Sequence, residues 1–279
     1  MGDDARRVIT LLTDFGGSDP FVGVMKGVIL EINPDAVIVD LYHGTTAHDP
    51  SEAAFVLVTS YRYFPKGTIH VAVVDPGVGG PRRPILATCD GHLFVGPDNG
   101  LLGPIAERGG PSSVRAITAA RYFLQPVSAT FHGRDIFAPV AGHLSLGAEP
   151  DRFGHAIEDC VRLTLPRPSR SGARSIKGEV LHIDCFGNLV SNIAREDLEG
   201  MASGGPMTGL LVKIAGRTVA IVGYYAQVAL GAPGAVIGSA DYLEIFVHQG
   251  DASRLFHASR GSEVLVSSER SGLDETATR

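Results

Sequence analysis

Cysteine is scarce in this 279-residue sequence, and Cys89, Cys160 and Cys185 are widely spaced, odd in number and form no CxxC pair. That excludes a disulfide framework or a cysteine-built zinc site, and the expected compartment is the reducing cytoplasm. Long basic runs are also missing. With a net charge of −6 there is no surface suited to neutralising nucleic-acid phosphates. No segment approaches the ~20 consecutive apolar residues that cross a bilayer, so no membrane span is expected. The opening MGDDARRVITLLTDFGG carries early acids and too short an apolar stretch for a secretory signal. GxGxxG, GxxxxGKS/T and GxSxG do not occur in strand-to-helix settings, which argues against dinucleotide, P-loop and serine-esterase chemistry. HExxH and His/Cys clusters are missing as well, so neither metal nor cofactor is expected.

What the sequence does contain is 44% apolar residues and 35 glycines, the make-up of a compact protein with many tight turns. VITLLTD (8–14), AVIVDLY (36–42) and TIHVAVVD (68–75) read as strands, with helices between them. The first helix follows Asp19-Pro20, with Asp19 as its cap. The second follows Asp49-Pro50, with Glu52 placed for a capping box and Ala53, Leu57 and Tyr61 on one face. Such β-α-β-α-β order with continuous apolar strands predicts a three-layer α/β domain around a mostly parallel sheet, spanning residues 1–166. A further helix is predicted within DIFAPVAGHLSLG (135–147), with Asp135 as its N-cap. PRPSRSGARS (166–175) reads as an exposed linker, taken as 167–175. From 176 to 279, GEVLHID, LLVKIAG, RTVAIVGYY, DYLEIFVH and SEVLVSS predict a small antiparallel β-barrel, with a mobile tail from about residue 269.

Ligands of an open parallel sheet bind beyond the carboxyl ends of its strands. Asp14 and Asp75 both fall there, each after an apolar strand. Two such acids can accept from a sugar diol, bind an ammonium, orient water or hold a metal; alternatively each caps a turn. PVSATFHGRDIFAP (126–139) places His132 in a loop before a helix, beside Arg134. In HIDCFGNLVSNI (182–193), Asn188 can read an adenine edge and Phe186 can stack, unless Gly187-Asn188 is only a hairpin turn and Phe186 is core.

Six motifs, in order, resemble the S-adenosylmethionine hydroxide adenosyltransferases, hydrolytic relatives of fluorinating and chlorinating enzymes. They are LLTDFGGSDPFVGVMKGVI, VVDPGVGGPRRP, VGPDNGLL, TFHGRDIFAP, IDCFGNLVSNI and YLEIFVHQGDA. The resemblance implies an α/β domain followed by a barrel. It also implies a homotrimer with sites between subunits, and water attack on ribose C5′ that releases adenosine and methionine. By the same resemblance the catalytic set falls on Asp75, Arg82 and His132, the seven-residue offset selecting Arg82 over the adjacent Arg83. Asp14 matches the ribose-diol acid, and Asp19 and Asp184 the methionine end. Asn188 and the backbone around Val247 match the adenine, and Ser239 a carboxylate contact. Phe131, Phe186 and Glu244 lie in the same motifs. Ala240 stands where the halogenating relatives have arginine, and His248 where asparagine is usual.

An ionised Asp75 at the nucleophile position would repel a halide by roughly 4 kcal/mol at ~4 Å and an effective dielectric of about 20. Water is helped instead, since Asp75 and His132 can accept its protons. The expected activity is therefore hydrolysis. The competing readings are a halogenase, a non-catalytic adenosine or S-adenosylmethionine sensor, and a metal-dependent phosphoesterase using Asp14, Asp75 and His132.

Overall fold

The computed structural model describes residues 7–107, 113–171, 174–202 and 207–268. The polar tail expected to be mobile lies outside the described residues. The chain divides into two compact units, Met1–Leu165 and Pro166–Arg279.

Among the described residues, the first unit is built on seven strands and four α-helices. The strands are β1 (Val8–Thr13), β2 (Val37–Tyr42), β3 (Ile69–Val73), β4 (Pro84–Cys89), β5 (His92–Pro97), β6 (Ser113–Ala116) and β7 (Ala156–Ile157). The helices are α1 (Phe21–Ile32), α2 (Pro50–Ser60), α3 (Gly103–Glu107) and α4 (Ala138–Ser145). Strand order is β2-β1-β3-β5-β4-β6-β7. β2, β1, β3 and β5 run parallel, and the pairings from β5 outward are antiparallel. The sheet is thus mixed. Its reversal is a hairpin between β4 and β5, where Asp90 (φ 50) and Gly91 (φ 74) are both left-handed. A two-residue Asp-Gly loop favours that turn because its twist matches the flanking strands.

Because β1 is followed by β2 on one side and β3 on the other, the strand order reverses between β1 and β3. That is the topological switch point at which open α/β sheets bind ligands. Register Thr13↔Val73 aligns the two carboxyl ends, so the residues just beyond them, Asp14 and Asp75, share one sheet edge. α1, α4 and the residue before α4 pack Met25, Ile29, Phe137, Val140 and Leu144 on one face, and α2 with the residue after it packs Ala53, Leu57 and Tyr61 on the other.

Two expected caps are placed differently. α1 starts from Pro20 with no side-chain cap, which leaves the Asp19 carboxylate free of the helix end. Asp135 is no N-cap either. It lies fully buried inside a π-helical turn, Gly133–Phe137, that leads into α4. Its carboxylate turns back to accept from Ser128 N and Arg134, tying the preceding loop to the helix. Asp49 does cap α2, accepting from Ser51 N and Glu52 N, while Glu52 reaches back to Thr46 N.

The second unit has β8 (Ser169–Arg170), β9 (Ser175–Ile183), β10 (Leu189–Ala194), β11 (Leu210–Ile214), β12 (Arg217–Ala220), β13 (Pro233–Ile237), β14 (Tyr242–Val247) and β15 (Glu263–Ser268). Two short helices, α5 (Arg195–Ala202) and α6 (Ala252–Phe256), were not expected from the sequence pattern. The path β12-β11-β15-β9-β10-β14-β13 is antiparallel throughout, and an Ile221–Ala235 bridge draws its two ends together. The result is a nearly closed barrel filled by alternate residues such as Val180, Leu189, Val212, Ile245 and Val264. β8 pairs with β9, so part of the segment read as linker is a strand of this sheet.

The first unit also buries a pair of histidines. His70 Nδ1 meets Thr10 Oγ1 at 2.8 Å, His70 Nε2 meets His92 Nδ1 at 3.2 Å, and Tyr61, Phe64 and Phe94 enclose them. Burial, reinforced by His92 alongside, pushes His70 down to about 3. An unfolded-state imidazole titrates near 6.5. Between those values the unfolded chain binds a proton that the folded chain refuses. Stability from His70 is therefore complete above about pH 6.5 and declines, by up to ~1.4 kcal/mol per pH unit, as pH falls towards 3. Urea midpoints should drop over that window, and His70→Leu should flatten the slope.

Candidate active site

Asp75 follows β3 by two residues, and Arg82 returns to it over the loop PGVGGP. The approach is close. At Gly79 (φ 76), an added Cβ would stand 2.2 Å from Ala129 O, so only glycine lets this loop lie against the segment that carries His132. Arg82 Nε donates to Asp75 Oδ1 at 2.9 Å and Arg82 Nη2 donates to Asp75 Oδ2. The second Nη2 hydrogen points to His132 Nδ1 at 2.6 Å. Arg82 and Asp75 side chains are 9% and 6% exposed, so the fork is what makes a charged carboxylate tolerable there.

This geometry fixes a tautomer. A guanidinium has no acceptor, so His132 Nδ1 must be the unprotonated nitrogen. Burial, then the neighbouring Arg82 charge, hold His132 below its ordinary value, partly offset by Asp75 and Asp135. The neutral ring therefore carries its hydrogen on Nε2.

Asp75 and His132 face a cavity of about 340 Å³ whose walls also include Asp14, Asp19, His48 and Phe131. Arg82 is not among its lining residues; it stands behind the two groups it orients. Phe131 closes a trio with Phe15 and Phe21, at centroid separations of 6.0 and 5.2 Å, and Arg134 lies over its ring. Asp14 Oδ2 accepts from His48 N at 2.9 Å. Beneath it runs a chain missed in the sequence. Thr13 hydroxyl accepts from Phe15 N and meets His43 Nδ1, and His43 Nε2 meets Asp40, which also binds Lys26. Its signal was an acid and a histidine flanking the end of the second strand.

Arg83 has a separate task. Its Nε and Nη2 donate to Asp98 Oδ2, and it reaches Asp159, while Asp98 Oδ1 accepts from Val161 N. It pins the segment around residue 160, away from Asp75.

In the second unit, the DCFGN turn joins β9 to β10. Asp184 Oδ1 accepts from Phe186 N and Asn188 N, and Oδ2 accepts from Asn188 Nδ2. Asn188 thus keeps its carbonyl oxygen and one amide hydrogen for a ligand. Gly187 (φ 83) is needed on space as well, since its Cβ would stand 2.3 Å from the Asp251 carboxylate. The turn is a hairpin, yet Phe186 is 72% exposed rather than core. Asp184, Phe186, Asn188, Tyr225, Val247 and His248 line a cavity of about 660 Å³. Ser239 and Glu244 line neither cavity. Glu244 is buried and accepts from Tyr225 hydroxyl at 2.7 Å. Burial, with Asp184 adding, raises Glu244 above the usual carboxylate range. Among the described residues no group of three or more His, Cys, Asp and Glu is placed to hold a metal ion, and no helix is long and apolar enough to cross a membrane.

A mixed α/β unit with a guanidinium-bridged acid and imidazole at its switch point, in a chain with a β-barrel unit bearing a carboxamide-and-aromatic cavity, describes a class of nucleoside-handling protein. The chain belongs to the SAM hydroxide adenosyltransferase family. Models of that family's N-terminal and C-terminal domains match residues 9–154 and 178–265. It is 36% identical to an (R)-S-adenosyl-L-methionine hydrolase from Thermus thermophilus, over 92% of this chain and 98% of that one. A fluorinase from Actinoplanes is 28% identical over 71% of this chain and 76% of its own. The crystal structure of an uncharacterized conserved protein from Thermotoga maritima superposes with a TM-score of 0.87 at 34% identity, covering 93% of this chain and 99% of that one.

The two neighbouring arginines are separable by experiment. Arg83→Gln strands the buried Asp98 carboxylate and should cost about 1–3 kcal/mol in denaturant unfolding, leaving the His132 ring signals in nitrogen-15 NMR unchanged. Arg82→Gln should move those His132 signals, because the donor that fixes its tautomer is gone.

Proposed function

We propose that the protein hydrolyses S-adenosyl-L-methionine (SAM) to adenosine and L-methionine, with Asp75 and His132 acting on the attacking water and Arg82 positioning both. The observation that carries this reading is the single guanidinium shared by Asp75 and His132 at the wall of the switch-point cavity. Membership of a family with hydrolase relatives supports it. Water oxygen attacks C5′ in line while the C5′–S bond breaks, its electron pair passing to sulfur, which leaves as the neutral thioether of methionine. The water proton goes to Asp75, whose oxygens each keep a lone pair beyond the Arg82 fork. His132 presents Nε2–H, a donor, so it orients the water oxygen rather than taking its proton. A neutral thioether needs no general acid.

Asp14 would accept from the ribose diol, with Asp19 and Phe131 towards the methionine end. In the barrel unit, Asn188 has a carbonyl oxygen and an N–H for the adenine edge, beside Phe186, Asp184 and Val247. Glu244 would shape that end from behind Tyr225, and Ser239 would contact the methionine carboxylate. We read the active assembly as a cytoplasmic homotrimer in which one subunit's first unit and a neighbour's barrel complete each site. SAM is then the only small molecule required, with no cofactor, nucleic acid or membrane.

Chromatography of SAM incubated with pure protein should show adenosine and methionine in equal amounts; intact SAM retained on the protein would mean a sensor instead. Asp75→Asn should lower kcat by about 10²–10⁴-fold, and His132→Gln, which keeps an N–H donor, should retain more activity than His132→Ala. Because His132 is held neutral, kcat/KM should stay level from about pH 8 to 6.5 and fall only in more acid solution.

Asp75→Asn and Asn188→Ala, each inactive alone, should complement when co-expressed. Random assembly restores roughly a quarter of the sites if each is built from two subunits. No recovery would place both halves of the site in one chain.

A further inference from the structure

His48 has no role in the reaction as written so far, yet three features single it out. It is a non-glycine residue in the left-handed region, at φ 65, a conformation that costs an L-residue about 1 kcal/mol or more and persists where surroundings impose it. The loop carrying it is tethered to the end of β1 at three points: Gly16 N to His43 O, Thr45 hydroxyl to Thr13 O, and His48 N to Asp14 Oδ2. The residue lines the cavity that also holds Asp14, Asp75 and His132. The imidazole is exposed and makes no hydrogen bond among the described residues.

We propose that His48 is a further substrate-binding residue, which aims the Asp14 carboxylate through its main chain and donates from its imidazole to the ribose diol. A cis-diol both donates and accepts. Asp14, an acceptor only, satisfies the hydroxyl hydrogens and leaves the hydroxyl oxygens wanting a donor. The His48 amide occupies one lone pair of Oδ2 and stops the carboxylate from rotating, so the acceptor is set before substrate arrives. An imidazole N–H alongside supplies the missing donor. His48 is thereby a determinant for ribose over deoxyribose. The inference rests on the hydrolase reading only in that the ligand carries an adenosyl group.

His48→Gly separates backbone from side chain, since glycine adopts the left-handed conformation freely and keeps the bond to Asp14. It should therefore fold with an unchanged or higher Tm. KM for SAM should rise about 10-fold with kcat within about twofold, as expected for one lost hydrogen bond. Calorimetry supplies a readout without turnover. Wild-type protein should bind adenosine about 100-fold more tightly than 2′,3′-dideoxyadenosine, through the Asp14 and His48 bonds together, and His48→Gly should cut that preference about 10-fold. In an Asp14→Asn background, His48→Gly should add little, because the two act on one diol. An unchanged KM and unchanged nucleoside preference in His48→Gly would overturn the proposal. So would an equal weakening of both nucleosides, which would make His48 a mere wall. Loss of the preference in a protein that never cleaves SAM would sink the hydrolase reading and leave the role of His48 standing.

Discussion

A carboxylate drawn out of water at the edge of an apolar sheet is unstable unless something charged meets it. The effective penalty is several kcal/mol even after relaxation. Here one side chain meets it. Arg82 spends Nε–H and one Nη2 hydrogen on Asp75 and the other Nη2 hydrogen on His132, while its ring-facing side lies over Phe137. The consequence is more than neutralisation. A planar fork constrains the carboxylate plane, and the shared nitrogen constrains the imidazole relative to it. Lysine, a point charge on a flexible stem, could balance the charge without imposing either orientation.

That interaction is available only because the chain brings residues 75, 82 and 132 to one place. β3 delivers Asp75 to the switch point, and the loop after it folds back so tightly that Gly79 lies against Ala129. The π-helical turn at Gly133–Phe137 then sets the direction from which His132 enters. One extra residue in a helical turn rotates the side chains before it relative to those after it, a reason such turns recur at functional sites. Asp135 holds the turn in place by reaching Ser128.

Much of this was legible in the sequence because it depends on local chemistry. Apolar runs ending in Asp14 and Asp75 mark strand ends, and Asp49-Pro50 marks the start of α2. The glycine-containing DCFGN marks a turn. Long-range consequences were not legible. Asp19-Pro20 has the form of a cap, but Asp19 makes no cap bond and lines the cavity instead, and Asp135 turns inward to accept from Ser128 N. The outer, antiparallel half of the α/β sheet depends on pairings that no strand's composition announces. The Asp90-Gly91 turn was a local signal for it that the strand pattern left unread. Arg82 and Arg83, adjacent and chemically alike, diverge because successive residues of an extended segment face opposite ways, one towards Asp75 and the other towards Asp98.

The direction in which charge moves explains why an acid belongs at this cavity wall. SAM enters with its positive charge on sulfur. When the nucleophile is neutral water, that charge passes during attack from sulfur to the entering oxygen, which becomes acidic as the bond to carbon forms. A carboxylate beside the oxygen therefore interacts more strongly with the transition state than with the ground state, which is the condition for catalysis rather than mere binding. The same carboxylate beside the sulfur would act in reverse and stabilise the reactant. On the proposed reading Asp75 would lie on the water side of C5′, and the remaining acids of the cavity, Asp14 and Asp19, would grip groups remote from the sulfonium. A halide inverts the balance. Its attack cancels charge, and a carboxylate at the nucleophile position would oppose its entry from the outset. On the proposed reading, the carboxylate that Arg82 holds at this wall also selects the nucleophile the site can use.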